Sequence, residues 1–498
     1  MIDGPDLVLP ILTLDDDTGW EFLLDLAGTH LDRRGLDRLK SALEHTVKTI
    51  LVERHYIDKD YRETFSSYHS KKFHTPDARC IRLHFFSDTI ERSALHSANE
   101  MVARSYLGYS VLRPTRPNCI GRTLLRPEAR PGWAGHLCLC EESVYIQGLE
   151  LRVSGFPFIS QDGDATVCAQ ATLWMLMRYF SNRYPAYPEV YPVEIGNLTR
   201  DYSVGRLLPT AGLYVWQMAE ALRQVKFAPL VYDRGSFPVS FDHLLYTYIE
   251  SGIPVLAAFE KHVVMLFGHQ SDFSEAGSTL PVAPSPFVFS SQFNRSFIGN
   301  DDNGIPYQFL RQTPLGVAWE EMSGGDASYG VEDIRHFIAP LPERVFLPAE
   351  SFQSLVHKLL VSDEFGFATL SPRILAEPPV LRLFLTTGRG FKKRLSDRDN
   401  MGHLGVISAY RDLPLPHFIW VCEISHGSLY PWKVLGEVIW DATRNPYEEN
   451  AFLAVHYPEL LIVDMGTALN RESDVIELAL GGSVPYPIYE HNLRERTT

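Results

Sequence analysis

The sequence is poor in cysteine and lacks long apolar runs. Its 498 residues include six cysteines without the dense, regular spacing of a disulfide scaffold, namely Cys80, Cys119, Cys138, Cys140, Cys168 and Cys422. No uninterrupted apolar run reaches the roughly 18 residues of an ordinary transmembrane helix. The short apolar run near the N-terminus has no basic segment before it and is followed by Asp15, Asp16 and Asp17, so we expect no secretory signal. These features predict a cytoplasmic protein in a reducing compartment.

An excess of positive charge is also missing. The formal net charge is -15, which disfavours non-specific binding to nucleic acid or to an anionic membrane. We therefore expect a protein or peptide as the partner. No dinucleotide fingerprint or phosphate-binding glycine loop occurs, so no cofactor is expected. Hydrophobic residues at 45% and charged residues at 21% are typical of globular proteins.

The length predicts roughly two to four domains. We divide the chain into residues 1–143 and 341–498, each of mixed α/β character, and a central region of residues 144–340. In the first region, apolar spacing predicts helices over 36–50 and 94–106, and β-branched and aromatic residues predict a strand over 80–86. In the third, we expect a linker near 340–344, a helix over 352–360, and strands over 380–386, 418–424 and 460–463.

The central region changes from helices to strands along the chain. A strand-like stretch over 144–153 precedes a helix that begins near Cys168, and further helices are predicted over 211–223 and 241–251. Two short apolar runs, 253–259 and 262–268, are separated by Glu260 and Lys261 and predict a hairpin.

Cys168 is the strongest candidate for chemistry. A polar run that starts at Gln161 leads into the first turn of an apolar helix, and a helix N-terminus favours the thiolate that attacks as a nucleophile. Asp164 or Thr166 is the expected N-cap. An isolated cysteine at such a position is more often buried and inert, so the interpretation depends on partners elsewhere in the chain.

Two histidines compete as the general base. His262 and His269 stand at opposite ends of one predicted strand, and their odd spacing places them on opposite faces, so at most one can share a cleft with Cys168. We favour His262. Either residue alone would more often be structural.

A carboxylate on the next strand can orient the imidazole. Asp301 and Asp302 precede Asn303 and Gly304, where a strand should end, although a plain turn is the alternative. Gln161 can supply an amide donor to an oxyanion, together with the Cys168 backbone N–H.

This ordered set resembles the papain-like cysteine peptidases. It is most similar to the bacterial branch of bacteriocin-processing peptidases, in which a Gln…Cys-x-x-Ala segment, a His-hydrophobic strand with glycine and a following Asp form the site. The resemblance covers about residues 155–310. It implies an α+β, papain-like fold, in which a helix carrying the cysteine packs on an antiparallel sheet carrying the histidine and aspartate. It also implies Gln161 as the oxyanion donor, Cys168 as the nucleophile, His262 as the base and Asp301, or alternatively Asp302, as the orienting acid.

We therefore expect a thiol hydrolase, a cysteine protease or isopeptidase that acts on a protein or peptide through a thioester. Two alternatives stay open. One is a catalytically silent, papain-like binding or scaffold module, and the other is an acyl transferase or transglutaminase-like enzyme with the same triad. A regulatory protein partner and the oligomeric state are also left open.

Two further patterns are assigned no function. His136, Cys138 and Cys140, with Cys119 as a conceivable fourth ligand, are predicted to be a buried strand face, because alternate strand residues stand too far apart for thiolates that share zinc. No metal is expected. The basic stretch from Arg389 to Arg394 is predicted to be a solvated loop because Asp397 and Asp399 follow it.

Overall fold

The structure, a computed structural model, is of mixed α+β type and is built on antiparallel sheets. It describes residues 9–14, 17–96, 100–204, 206–282, 285–311, 329–361, 377–395, 404–445, 452–458, 460–465, 475–480, 484–490 and 492–497. Within these ranges, no helix has both the length and the apolar character that crossing a membrane requires.

The N-terminal part forms a five-stranded antiparallel sheet in the order β1-β2-β3-β4-β5. Its strands are β1 (Ile11–Thr13), β2 (Thr49–Tyr56), β3 (Cys80–Phe86), β4 (Tyr106–Leu112) and β5 (Ile120–Leu125). Its helices are α1 (Asp17–Ala27), α2 (Arg33–Leu43), α3 (Lys59–Ser67), α4 (Arg92–His96) and α5 (Glu100–Ser105). Three strands follow before the cysteine helix: β6 (Gly135–Leu137), β7 (Cys140–Ile146) and β8 (Leu149–Gly155).

The predicted strand over 80–86 coincides with β3, but both predicted helices of this region were too long. The first helix ends at Leu43, and Ile50 instead pairs with Leu12 and Phe85. The residues that follow include Val47, Thr49, Ile50 and Val52, whose β-branched side chains favour a strand. The second prediction corresponds to α4 and α5, and Tyr106 begins β4.

The central part contains the large sheet. Its helices are α6 (Cys168–Arg183), α7 (Pro192–Leu198), α8 (Val215–Gln224) and α9 (Phe241–Glu250). Its strands are β9 (Phe227–Asp233), β10 (Val255–Ala258), β11 (Val263–Ser271), β12 (Val288–Phe289), β13 (Asn294–Asn300), β14 (Gln308–Arg311) and β15 (His336–Pro342). Six strands run in the order β14-β13-β11-β10-β15-β9, and β6 also pairs with β11. The predicted hairpin is present, because β10 and β11 are antiparallel neighbours.

The C-terminal part forms a second large sheet in the order β12-β16-β17-β19-β20-β21-β22. Its helices are α10 (Ala349–Val361), α11 (Gly388–Lys393) and α12 (Leu404–Asp412). The strands are β16 (Pro379–Thr387), β17 (Phe418–His426), β18 (Lys433–Val434), β19 (Gly436–Asp441), β20 (Phe452–Tyr457), β21 (Leu460–Asp464), β22 (Val475–Ala479), β23 (Tyr486–Pro487) and β24 (Arg494–Arg496). The predicted helix over 352–360 and the three predicted strands all fall within these elements.

Two predictions for the chain after residue 339 were wrong. The expected linker near 340–344 lies largely in β15, an internal strand between β10 and β9 in which Pro340 pairs with Pro229. The basic stretch at 389–394 forms most of α11 rather than a solvated loop, because Phe391 is buried and anchors it to the core.

Strand pairing crosses both predicted region boundaries. The hairpin of β7 and β8 spans residue 143, where Ser143 pairs with Arg152. The C-terminal strand β24 pairs with β6, so the end of the chain extends the central sheet. The three-region division stays a prediction.

Helix α6 carries Cys168 at its first position and is otherwise largely buried in the core. Twelve consecutive residues from Ala169 to Phe180 are buried, so the helix is surrounded rather than covered on one face. It packs against β11, where the Thr172 hydroxyl donates to the backbone oxygen of Val263 at 3.2 Å. This packing holds the first residue of α6 next to the first residue of β11.

Candidate functional site

Cys168 is the first residue of α6 and is half-buried. The N-cap is Val167, which offers no side-chain acceptor, so the expected cap at Asp164 or Thr166 was wrong. The loop before the helix is instead organised by Asp162, whose Oδ1 accepts the backbone N–H groups of Asp164, Ala165 and Thr166 at 2.9, 2.8 and 2.8 Å. These bonds hold the loop closed and leave Cys168 at its end.

A buried arginine supports this loop. Arg113 approaches Asp162 at 3.5 Å, and both side chains are almost completely buried. The same guanidinium donates to the backbone oxygens of Ile120, at 3.1 Å, and Ser160. The cation therefore balances the Asp162 carboxylate and connects the loop to β5.

The Asp164 side chain does not cap the helix and has other partners. Its carboxylate accepts a hydrogen bond from Tyr68 at 3.3 Å and forms an ion pair with Lys72. The ammonium balances the negative charge of Asp164, which stands four residues before Cys168 in the chain.

His262 lies directly before β11 and bridges the cysteine and an aspartate. Its Nε2 is 2.9 Å from Oδ1 of Asp301, and the Cys168 thiol lies by the same ring. Burial alone would lower the pKa of His262. Hydrogen bonds with Asp301 and Cys168 and the negative charges of Asp301 and Asp302 outweigh it and raise that pKa to about 11.

Asp301 is positioned by its own turn. It follows β13, its backbone N–H donates to Gln308 at 3.0 Å, and its Oδ1 accepts the backbone N–H of Asn303 at 2.9 Å. Burial raises the pKa of its carboxyl, but the hydrogen bond and charge of His262 prevail and leave it below the ordinary value. Asp301 is thus held as a carboxylate facing the imidazole.

Asp302 has a different environment. It is 1% exposed and lies 3.7 Å from His262 Nε2, and neither of its oxygens has a hydrogen-bond partner among the described residues. Burial, together with the charge of Asp301, raises its pKa to about 7 despite the opposing effect of His262. Of the two candidate acids, Asp301 makes the hydrogen bond and Asp302 supplies a nearby charge.

Gln161 lies in the wall of the same cleft. Its side-chain amide donates to Oδ1 of Asn303, and its backbone oxygen accepts a hydrogen bond from Arg116 at 2.8 Å. An amide nitrogen carries two hydrogens, so one remains for a substrate oxygen. The structure therefore brings Gln161 to the turn that carries Asp301.

The cleft beside these residues has a volume of about 640 Å³. It lies between the N-terminal sheet and the central sheet, and Leu83, Leu112, His262 and Asp301 are among its lining residues. Tyr329 lies near His262, with ring centroids 6.2 Å apart and ring planes inclined by 26°. A volume of this size is in the range of ligand-binding clefts in proteins.

His269, the alternative base, lies in another cluster. Its side chain is fully buried, its Nε2 is 2.7 Å from Glu250, and its Nδ1 is 3.1 Å from Ser271. The two histidines thus have different neighbours. The register of β11 against β13 shifts between Leu266 and Gly268, so strict alternation does not relate their faces.

The stretch 136–140 does not form the single strand face that was predicted, because β6 ends at Leu137 and β7 begins at Cys140. Its polar side chains have separate partners. Burial raises the pKa of the Cys138 and Cys140 thiols to about 12 each, and Cys140 donates to the backbone oxygen of Gly155 at 3.5 Å. His136 stacks on His269. Cys119 donates to the Gln161 backbone oxygen at 3.6 Å.

The residues best arranged to offer metal ligands in the described part are instead His262, Asp301 and Asp302, whose ligand atoms lie within 4.8 Å of one another.

Sequence reasoning overlooked several residues that shape the site. Asp162 and Arg113 fix the loop, Asn303 is hydrogen-bonded to both Asp301 and Gln161, and Tyr329 lies near the imidazole. The Asp-Gly-Asp pattern at 162–164 carried a usable signal, because aspartate often accepts backbone N–H groups in such turns. Arg113 and Tyr329 carried none, since their roles arise from contacts distant in sequence.

A search of family models, curated proteins and solved structures finds no match to this chain.

Proposed function

We propose that the protein is a thiol hydrolase that acts on amide bonds, as a cysteine peptidase or isopeptidase with a papain-like catalytic region. The observation that carries the proposal is His262, which lies between the Cys168 thiol and the Asp301 carboxylate. A nucleophile, a base and a group that orients the base form the arrangement used for acyl transfer.

In the first half of the reaction, the Cys168 sulfur attacks the carbonyl carbon of the substrate amide. The thiol proton resides on His262, and Asp301 holds the imidazolium in place through Nε2. The carbonyl oxygen becomes an oxyanion, which the Gln161 amide and the Cys168 backbone N–H stabilise. The tetrahedral intermediate then collapses, the carbon–nitrogen bond breaks, and His262 gives its proton to the leaving amine.

In the second half, water attacks the thioester. His262 takes a proton from that water, the carbon–sulfur bond breaks, and the carboxylic product leaves while the proton returns to the thiol. An amine in place of water would give acyl transfer by the same steps.

The state of the cysteines supports a proposal for the compartment in which the enzyme works. All six are free thiols. We propose a reducing, cytoplasmic setting, in which the nucleophile would stay reduced.

Incubation with a peptide library tests the proposal. A proteome-derived library is treated with the wild-type protein, and new termini are identified by mass spectrometry. We expect cleavage products with the wild type and none with Cys168→Ala, whereas Cys422→Ala, which removes a fully buried thiol, should keep activity. Selective carboxymethylation of Cys168 without cleavage would favour acyl transfer. A site that neither cleaves nor reacts would favour the silent scaffold.

A further inference from the structure

Asp302 is a buried carboxylate with incomplete compensation. It is 1% exposed, and neither of its oxygens has a hydrogen-bond partner among the described residues. The described part of the chain offers it one ion-pair contact, with Nε2 of His262 at 3.7 Å, and Asp301 contacts the same nitrogen at 2.9 Å. One imidazole thus faces two carboxylates. Burial of a carboxylate without full compensation is costly, so a further cation at this point would stabilise the site.

The three side chains of this group have the spacing of metal ligands. One ligand atom each of His262, Asp301 and Asp302 lies within 4.8 Å of the other two. A Zn²⁺ ion that is about 2.0 to 2.2 Å from nitrogen and oxygen ligands holds those atoms roughly 3.0 to 3.6 Å apart. The separations of 2.9 and 3.7 Å from Nε2 lie close to that range. An imidazole ligand favours Zn²⁺ over Mg²⁺ or Ca²⁺, which prefer oxygen ligands.

Neighbouring groups already orient these ligands. Oδ1 of Asp301 accepts the backbone N–H and the side-chain amide of Asn303, at 2.9 and 3.2 Å. Asn303 in turn accepts a hydrogen bond from the Gln161 amide. Hydrogen bonds of this kind hold carboxylate ligands in place around metal ions. His262, Asp301 and Asp302 all line the cleft of about 640 Å³, which gives an ion and its water ligands access to them.

We propose that His262, Asp301 and Asp302 bind one Zn²⁺ ion, and that bound Zn²⁺ and the proposed thiol hydrolysis exclude each other. A neutral histidine that binds a metal through one ring nitrogen carries its proton on the other, so no lone pair is left to accept the thiol proton of Cys168. Binding releases the proton that Nε2 donates to Asp301, and the ion replaces it. The metal site depends on the geometry of these three residues, whereas its effect on catalysis rests on the proposed function.

Calorimetric titration of the full chain with zinc chloride tests the metal site. The protein is first treated with a chelator and then titrated near neutral pH. We expect one tight Zn²⁺ site per chain, weakened at least about 100-fold in Asp302→Asn, because loss of even an outer partner of a metal ligand typically costs 10-fold to 100-fold in affinity. Asp201→Asn is the matched control. Asp201 is exposed and lies outside the ligand group, so this variant should bind Zn²⁺ as the wild type does.

Co²⁺ in place of Zn²⁺ identifies the ligands by absorption spectroscopy. Bound Co²⁺ absorbs visible light, and a sulfur ligand adds an intense charge-transfer band in the near ultraviolet. The ligand group formed by the described residues does not include Cys168, so we expect the visible bands without the sulfur band. Cys168→Ala should give the same spectrum, and Asp302→Asn should lose it. A sulfur band that disappears in Cys168→Ala would place the ion on the thiol and overturn the assigned ligands.

Peptide cleavage in the presence of Zn²⁺ tests the effect on catalysis. Cleavage by the wild type should stop as the site fills and return when a chelator is added. Filling of the site without loss of cleavage would overturn the mutual exclusion.

The outcomes separate the metal site from the proposed function. If Zn²⁺ binds to these residues but the metal-free protein cleaves no peptide, the proposed function fails and the metal site stands. If the metal-free protein cleaves peptides but binds no Zn²⁺, or if Asp302→Asn binds it as tightly as the wild type, the metal site is overturned and the proposed function stands.

Discussion

His262, directly before β11, and His269, within β11, stand in different electrostatic settings. His262 opens to the cleft, with two aspartates and a thiol around it. His269 is fully buried against Glu250, whose other oxygen accepts a hydrogen bond from Arg382 at 2.6 Å. Arg382 also reaches Glu423 at 2.8 Å, so the buried carboxylates share a permanent cation.

The difference lies in how each carboxylate is compensated. In the buried cluster, every acidic group contacts an arginine or a histidine, as a structural ion network requires. In the cleft, Asp302 is equally buried but has no hydrogen-bond partner among the described residues. The pKa of Asp302 is raised to about 7, and carboxyl groups with such strongly shifted pKa values occur preferentially at functional sites. The candidate base His262 thus directly precedes β11, whereas His269 within the strand belongs to a structural ion network.

The largest expected effect comes from breaking the buried cluster. Arg382→Met leaves Glu250 and Glu423 without their cation and should lower the free energy of unfolding by about 3 to 5 kcal/mol. Urea unfolding monitored by circular dichroism measures this, with the exposed Arg223→Met as the control. Cys168 in the molecules that stay folded should keep its alkylation rate. A large loss of that rate would mean that the reactivity of the candidate site depends on the buried ion cluster.

Gln161→Ala tests whether the Gln161 side chain in the cleft donates to the oxyanion. Loss of an oxyanion donor is expected to lower kcat for peptide hydrolysis by about 100-fold to 1,000-fold. Alkylation by iodoacetamide forms no oxyanion and should change little. The two assays on one variant distinguish a donor to the transition state from a residue that merely supports the turn at Asn303. Equal losses in both assays would assign Gln161 a structural role.

Asp302→Asn should change how stability depends on pH. The carboxyl has a pKa of about 7 in the folded protein against an ordinary 3.8, so between these values the folded state holds a proton that the unfolded chain has released. The free energy of unfolding therefore falls as pH rises across this window, and the variant should be more stable than wild type at pH 8 by on the order of 2 kcal/mol.

Asp301→Asn should change the free energy of unfolding in the opposite direction. The pKa of Asp301 is lowered in the folded state, so its stabilisation is present above the ordinary pKa and disappears as pH falls. This variant should lose stability at neutral pH and approach wild type in acid. Urea unfolding at about pH 3, pH 5 and pH 8 measures both variants, because the window for Asp301 lies below its ordinary pKa of 3.8 and the window for Asp302 lies above that value. The same direction of change in both at pH 8 would contradict the assigned environments.

The smallest expected effect concerns Lys72. Lys72→Gln leaves the Asp164 carboxylate without its ammonium, and we expect a two- to threefold slower alkylation of Cys168, since a negative charge opposes the thiolate. The double variant Lys72→Gln, Asp164→Asn should recover the wild-type rate. Failure of that recovery would mean that Lys72 acts through the loop conformation rather than through charge.

The order of the site residues was accessible from sequence because it depends on local rules. The turn residues Asn303 and Gly304 marked the end of β13, the strand directly before Asp301. The separation of His262 from His269 does not follow from strand alternation, because the register of β11 shifts between Leu266 and Gly268. The hairpin that places His262 needed only two apolar runs separated by Glu260 and Lys261.

The errors came from contacts distant in sequence. β15 is a strand because β9 and β10 pair on either side of it, which outweighs the prolines that suggested a linker. The basic stretch at 389–394 is helical because Phe391 enters the core. The pairing of β24 with β6, and the support of the cysteine loop by Arg113, likewise join segments that no local pattern connects.

The rate of Cys168 alkylation by iodoacetamide as a function of pH tests the central claim most directly. His262, with its raised pKa, should remain an imidazolium beside the thiol at pH 6 and favour the thiolate. The expected result is fast labelling of Cys168 at pH 6 in the wild type, at least about 100-fold faster than in His262→Ala or in the urea-unfolded chain. Equal rates at pH 6 in the wild type and His262→Ala would contradict the assignment of Cys168 and His262 as a reactive pair.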